Sequence, residues 1–110
     1  MSFEERVYRI VAGIPKGRVM SYSDVAREAG CPGASRAVGN AMRRNPWPGT
    51  AAGKVPCHRV VKRNGLLGSY SAKGGVEKKM SLLLKEGVKI IDGKVGKEFF
   101  INKVSFRTIG

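Results

Sequence analysis

Histidine is almost missing from this sequence, and cysteine is nearly as rare. Among 110 residues there is one histidine, His58, and there are two cysteines, Cys31 and Cys57. Two cysteines can form at most one bridge, and a chain without a secretory leader is expected to keep both as thiols. They lack paired metal-ligand spacing, and one histidine cannot complete a zinc set, so no metal is expected. Nothing in the sequence calls for a cofactor. No apolar run approaches the roughly 18 residues of a membrane span. The first ten residues, MSFEERVYRI, carry Glu4 and Glu5 where a signal peptide would have its apolar stretch. The expected setting is the cytoplasm, away from membranes.

Acidic residues are also scarce. Eight Asp and Glu face 21 Lys and Arg, which leaves a formal net charge of +13 and a pI near 10.4. A merely solvated surface does not require so large an excess. It is the electrostatic signature of a polyanion binder, with nucleic acid first in line. A lipid surface would call for a basic amphipathic face, and no segment has a clear one. The length predicts one domain over 1–110, with a small core drawn from a 42% hydrophobic composition.

The chain divides readily into short elements. Phe3 to Ala12 reads as a helix, with Phe3, Val7, Ile10 and Val11 on one stripe. Ser2 is its N-cap, Glu4 and Glu5 occupy the first turn, and Gly13 and Pro15 stop it. Val19-Met20-Ser21 reads as extended. A second helix runs from the Ser21 hydroxyl to Gly30, and a third covers Ala34 to Arg44 after the turn Cys31-Pro32-Gly33. The third carries Ala37, Gly39 and Ala41, expected to form a small-residue side, with Arg36, Arg43 and Arg44 projecting. Two short helices around a glycine turn are a helix-turn-helix signal. Ala and Gly cannot read base edges as long polar side chains do, but they allow close approach to a backbone or a shallow groove.

Asn45-Pro46-Trp47-Pro48-Gly49 ends the third helix and leads through a loose connector to Val55. Lys62-Arg63-Asn64-Gly65 is a basic turn, and Leu66 to Gly75 reads as a flexible loop. The last clear helix is Val76 to Lys85, with Val76, Met80, Leu83 and Leu84 as its buried stripe and Gly87 as its cap. Val88 to Val95 reads as a hairpin across Asp92-Gly93. Phe99-Phe100-Ile101 is extended or a short helix. Cys31 and Trp47 are read as packing residues, the tryptophan with the option of a nucleic-acid contact.

The chemistry concentrates in Val55-Pro56-Cys57-His58-Arg59-Val60-Val61. A thiol is a good nucleophile only as thiolate, and an adjacent imidazole or cation helps remove its proton. Taken alone, a Cys-His pair is more often incidental than catalytic. Here it stands in an ordered set: Arg36-Ala37-Val38-Gly39, Asn45-Pro46, Pro56-Cys57-His58-Arg59-Val60-Val61, Gly68-Ser69-Tyr70-Ser71, Lys79, Leu82-Leu83, and Glu86-Gly87.

That set resembles the C-terminal domain of the O6-alkylguanine-DNA alkyltransferases over about Phe3 to Val88. The resemblance implies a mostly α fold with short β segments, a winged helix-turn-helix-like DNA-binding domain. It implies irreversible transfer of an alkyl group from guanine O6 to Cys57, with His58 acting through a water and Glu86 orienting the histidine. By the same resemblance Asn45 braces the active-site turn, and Tyr22 helps protonate the departing guanine and rotates the phosphate. Lys79 supports that proton transfer, and Arg36 is the finger that replaces the extruded nucleotide. Ala37 and Gly39 lie on the DNA-binding helix, while Val60, Tyr70 and Ser71 line the base pocket. The implied partner is double-stranded DNA containing O6-alkylguanine, bound by a monomer, or by several molecules side by side. Triad logic fits such a Cys-His-Glu relay, and damage lowers the cost of flipping a base.

The pattern departs from the family in length. The Asn45-to-Cys57 segment is about four residues longer than usual, and Tyr70-to-Lys79 about two longer. A second class remains open, the alkyltransferase-like proteins, short relatives that bind alkylated guanine without transfer. They carry tryptophan or another residue where this chain has Cys57. A helix-turn-helix regulator is a third reading, requiring sequence preference and a dimer.

Overall fold

A computed structural model describes residues 1–68, 74–107 and 109. Its elements are α1 (Phe3–Ala12), β1 (Met20–Ser21), α2 (Tyr22–Glu28), α3 (Ser35–Arg43), a 3-10 turn at Cys57–Arg59, β2 (Val60–Val61), α4 (Gly75–Lys85), β3 (Ile90–Ile91), β4 (Lys94–Val95) and a second 3-10 turn at Lys97–Phe99. The expected mostly helical fold with short strands is what is seen.

Capping explains where the first two helices begin. The Ser2 hydroxyl accepts from the Glu5 N–H at 3.1 Å, and the Ser21 hydroxyl accepts from the Asp24 N–H at 3.0 Å. The helices α1, α2 and α3 pack on one another around Val7, Ile10, Val25, Val38 and Ala41. Tyr8 ties α1 to α3 by donating its hydroxyl to the Ala41 carbonyl at 2.9 Å. Trp47 meets Tyr8 edge-on, with ring centroids 5.8 Å apart, so packing is where the tryptophan is found.

Strands β1 and β2 pair in parallel, Met20 opposite Val60 and Ser21 opposite Val61. Because strand side chains alternate, this pair divides the interior. Met20 and Val60 face the three-helix core, whereas Val19 and Val61 face a second cluster with Leu67, Leu83, Val88 and Val95. The hairpin β3–β4 closes that second cluster. Its turn residues Asp92 and Gly93 have φ of 54° and 75°, the left-handed pair that Asp-Gly supplies to a tight hairpin. After the hairpin the chain returns to β1, with the Val19 N–H donating to Phe99 O and the Ile101 N–H to Val19 O, both at 2.9 Å.

Three expectations need correction. The stripe on α4 is rotated: Val76 is 43% exposed and Leu84 50% exposed, while Leu83 and Lys79 are buried. Lys79, Leu83 and Glu86 recur at helical spacing on the inner face, and the two polar members stay inside because partners meet them there. The small-residue side of α3 does not exist as one surface. Positions two apart on a helix are turned about 200° from each other, so Ala41 goes to the core while Ala37 stays exposed. The segment after the basic turn is not wholly a loose loop either. Leu67 is 6% exposed in the second cluster, and Leu66 bridges to Lys94.

Candidate active site

The 3-10 turn at Cys57–Arg59 lies directly before β2, so the parallel strand pair fixes its position. Pro56 precedes it, the Cys57 N–H donates to Val55 O at 2.8 Å, and the Arg59 N–H donates to Pro56 O at 2.9 Å. Asn45 holds the incoming strand: its Nδ2 donates to Val55 O and its Oδ1 accepts from the Trp47 N–H, both at 2.9 Å. The bracing position expected of Asn45 is therefore the position it occupies. All three residues of the turn are buried, Cys57 at 8%, His58 at 1% and Arg59 at 6% exposure.

Glu86 caps the C-terminus of α4 beneath this turn. His58 Nε2 lies 3.1 Å from Glu86 Oε1, near enough for an ion pair but off the line of a hydrogen bond. Arg59 holds the same carboxylate from the side, Nε donating to Oε1 at 2.9 Å and Nη2 to Oε2. Its remaining Nη1 donates to the Ile14 carbonyl at 2.8 Å. This fork is the feature that sequence reasoning missed. The signal was available: a carboxylate meant to face a neutral imidazole in a buried site needs another counter-charge, and Arg59 is the adjacent candidate.

Burial would push the Glu86 carboxyl up, but the Arg59 hydrogen bonds and the nearby His58 more than reverse this, and its pKa is lowered. Burial also dominates at His58 and pulls its pKa down, the opposing pull of Glu86 notwithstanding. A histidine held below its ordinary value is neutral at pH 7, ready to accept a proton.

On the other side of the turn, Lys79 Nζ donates to the Tyr22 hydroxyl at 3.4 Å and sits 5.6 Å from the centre of the Tyr22 ring. Burial pulls Lys79 down to about 8, with Cys57 pulling the other way. Tyr22 is raised, by burial first and then by a charge on Cys57, with Arg43 opposing. Two proton-handling groups thus stand on either flank of one thiol.

Tyr22 also forms part of the wall of a groove of about 690 Å³ beneath α3. Arg36, Gly39, Arg43, Lys62 and Arg63 complete most of it, so the third helix and the basic turn after β2 face a common space. Ala37 and Cys57 are not on this wall, and the Val60 side chain is fully buried in the helical core. Tyr70 and Ser71 lie outside the described residues. Among the described residues no cluster of three metal-binding side chains occurs, and no helix is long and apolar enough to cross a membrane.

Residues 2–88 match the family model described as 6-O-methylguanine DNA methyltransferase, DNA binding domain. The chain belongs to this family. A methylated-DNA--protein-cysteine methyltransferase of Salmonella typhimurium is 46% identical over 85 residues, covering 77% of this chain and 46% of that protein. A DNA base-flipping protein of Escherichia coli is 42% identical over 89 residues, covering 81% and 64%. The chain spans about half the length of the methyltransferases it matches.

Among solved structures, S. pombe Atl1 in complex with damaged DNA containing O6-carboxymethylguanine superposes with a TM-score of 0.74 at 32% identity. That match covers 90% of this chain and 94% of Atl1. Mycobacterium tuberculosis OGT in complex with DNA gives 0.71 at 40% identity, covering 79% and 49%.

Proposed function

We propose that the protein repairs DNA by accepting, on Cys57, the alkyl group of an O6-alkylguanine extruded from a duplex. The observation that carries this reading is a buried thiol with a neutral, carboxylate-linked histidine on one side and a Lys–Tyr pair on the other. The duplex lies along α3 with its phosphates against the cationic groove, and Arg36 fills the space left by the flipped nucleotide. Phosphate contacts of this kind position the protein without reading sequence, as damage at arbitrary sites requires.

The chemistry balances without a cofactor. His58 takes the Cys57 proton through a water, and Sγ attacks the alkyl carbon as its bond to O6 breaks. The departing guanine carries the electron pair of the broken bond and takes a proton from the Tyr22 hydroxyl. Lys79, with a pKa near 8, returns a proton to Tyr22. The thioether formed is a poor leaving group, so each molecule acts once. Arg59 keeps Glu86 ionised and seated, and Glu86 in turn stabilises the imidazolium.

A second reading, lesion binding without transfer, is favoured by one observation: the fold match covers nearly all of Atl1 but half of OGT. Cys57→Ser separates the two. Under the repair reading the variant binds an O6-methylguanine duplex as the parent does, and the lesion remains in the DNA. If the parent also leaves the lesion intact after prolonged incubation, the transfer reading is wrong and the binding reading stands.

A further inference from the structure

Behind the Cys57–Arg59 turn is a larger groove, about 880 Å³, that shares no wall residue with the one beneath α3. It is bounded by the end of α1, the connector before Val55, the last turn of α4 and the C-terminal tail. Lys16, Lys54, Lys85 and Arg107 stand on its walls, all four exposed. None has an acidic partner among the described residues. Glu86 is the one carboxylate of the lining, and both its oxygens are taken by Arg59. Phe106 adds an apolar wall that is 49% exposed over this concave space.

The tail wall is built in. The Arg107 N–H donates to Arg9 O at 3.2 Å, and Val104 packs on the helical core. The tail presses so closely on Gly13 that a Cβ there would overlap the Ser105 carbonyl oxygen. This wall lies beyond the residues matched by the family model, and the proposed repair chemistry makes no use of it.

We propose that this groove docks an acidic segment of a partner protein, its carboxylates on the four cations and one apolar side chain against Phe106. Charge complementarity alone would also suit a duplex. A duplex, however, is a stiff convex rod whose phosphates offer Phe106 nothing apolar, whereas an acidic peptide supplies both features.

The test uses the full chain saturated with an unmodified duplex, so that the α3 groove is occupied. The probe is a short fluorescein-labelled peptide of Asp and Glu around one central Phe, followed by anisotropy. Binding is expected to persist with the duplex present. It is expected to weaken about tenfold or more in Lys54→Glu/Lys85→Glu, and severalfold when the peptide Phe is replaced by Ala. Gly13→Ala, which displaces the tail wall without changing charge, is expected to weaken it severalfold as well. Lys89→Glu/Lys103→Glu carries the same charge change outside both grooves and should stay within about twofold of the parent. Each variant's thermal transition establishes that it is folded.

The proposal is overturned if the peptide does not bind, or if the control pair weakens binding as much as the groove pair. It is equally overturned if duplex displaces the peptide while the groove pair abolishes a second equivalent of bound duplex, which would make nucleic acid the occupant.

Discussion

Lys79 occupies the inner face of α4 with 1% of its surface exposed, and its amine reaches the Tyr22 hydroxyl only at 3.4 Å. Folding lowers its pKa from 10.5 to about 8. Between those values the unfolded chain holds more protons than the folded one, so stability rises with pH from about 8 to about 10.5. Below that window the burial penalty is fully present, about 3 kcal/mol at 1.4 kcal/mol per tenfold. Methionine matches the lysine stem in size and carries no charge. The lost hydrogen bond and imperfect repacking together cost about 1 kcal/mol. Lys79→Met is therefore predicted to gain about 2 kcal/mol at pH 7 while slowing alkyl transfer, because the proton source for Tyr22 is gone.

The measurement is urea unfolding under reducing conditions, followed by the fluorescence of Trp47, the sole tryptophan, which abuts Tyr8 in the core. Parent and variant are compared from pH 7 to pH 11. Other titrating groups are common to both proteins and cancel in the difference. The advantage of the variant should shrink across the window and vanish above it. A variant clearly less stable than the parent at pH 7, or a difference independent of pH, would refute the reasoning.

Other predictions test the remaining parts of the site. Arg59→Met should lose about 3–5 kcal/mol in urea unfolding, because it strands the buried Glu86 carboxylate and the Ile14 carbonyl. Arg59→Met combined with Glu86→Leu should lose less than the sum of the two single changes. His58 is held below 6.5 chiefly by burial. Transfer should accordingly persist as pH falls through 6.5, and the pH-dependent loss of stability should begin there, since the unfolded histidine protonates first. A rate that halves at pH 6.5 would place the base elsewhere. Arg36, Arg43, Lys62 and Arg63 line the α3 groove, so a salt titration of duplex affinity should slope at about −3 to −4 on logarithmic axes. Arg63→Ala should flatten that slope by about one, and an unchanged slope would remove Arg63 from the interface. Asn45→Ala unpairs Val55 O and the Trp47 N–H and should cost about 1–3 kcal/mol by thermal denaturation.

Much of this was legible from local chemistry. Ser2 and Ser21 start the helices they were expected to start, and Asp92-Gly93 makes the expected hairpin turn. Each is a short-range signal in which one side chain or one φ value decides the outcome. The α4 face was not legible because it is decided by distant partners. Apolar periodicity favours Val76, Met80 and Leu84, yet Tyr22 and Arg59 reward turning Lys79 and Glu86 inward. The parallel β1–β2 pairing, between residues 40 apart in sequence, left no trace in two-residue strands. The second groove was also hidden, since four unrelated segments contribute one cation each. In the candidate site, the motif residues were readable as types in order, but the Arg59 fork became visible only with Glu86 in place beside it.

The central claim is that Cys57 is an acceptor. The direct measurement is peptide mass mapping after incubation with a duplex carrying one O6-methylguanine. The account predicts one added methyl group, on the peptide containing Cys57, in proportion to lesion supplied and never more than one per chain. An unmodified Cys57 peptide from protein that has bound the lesion-bearing duplex would contradict it.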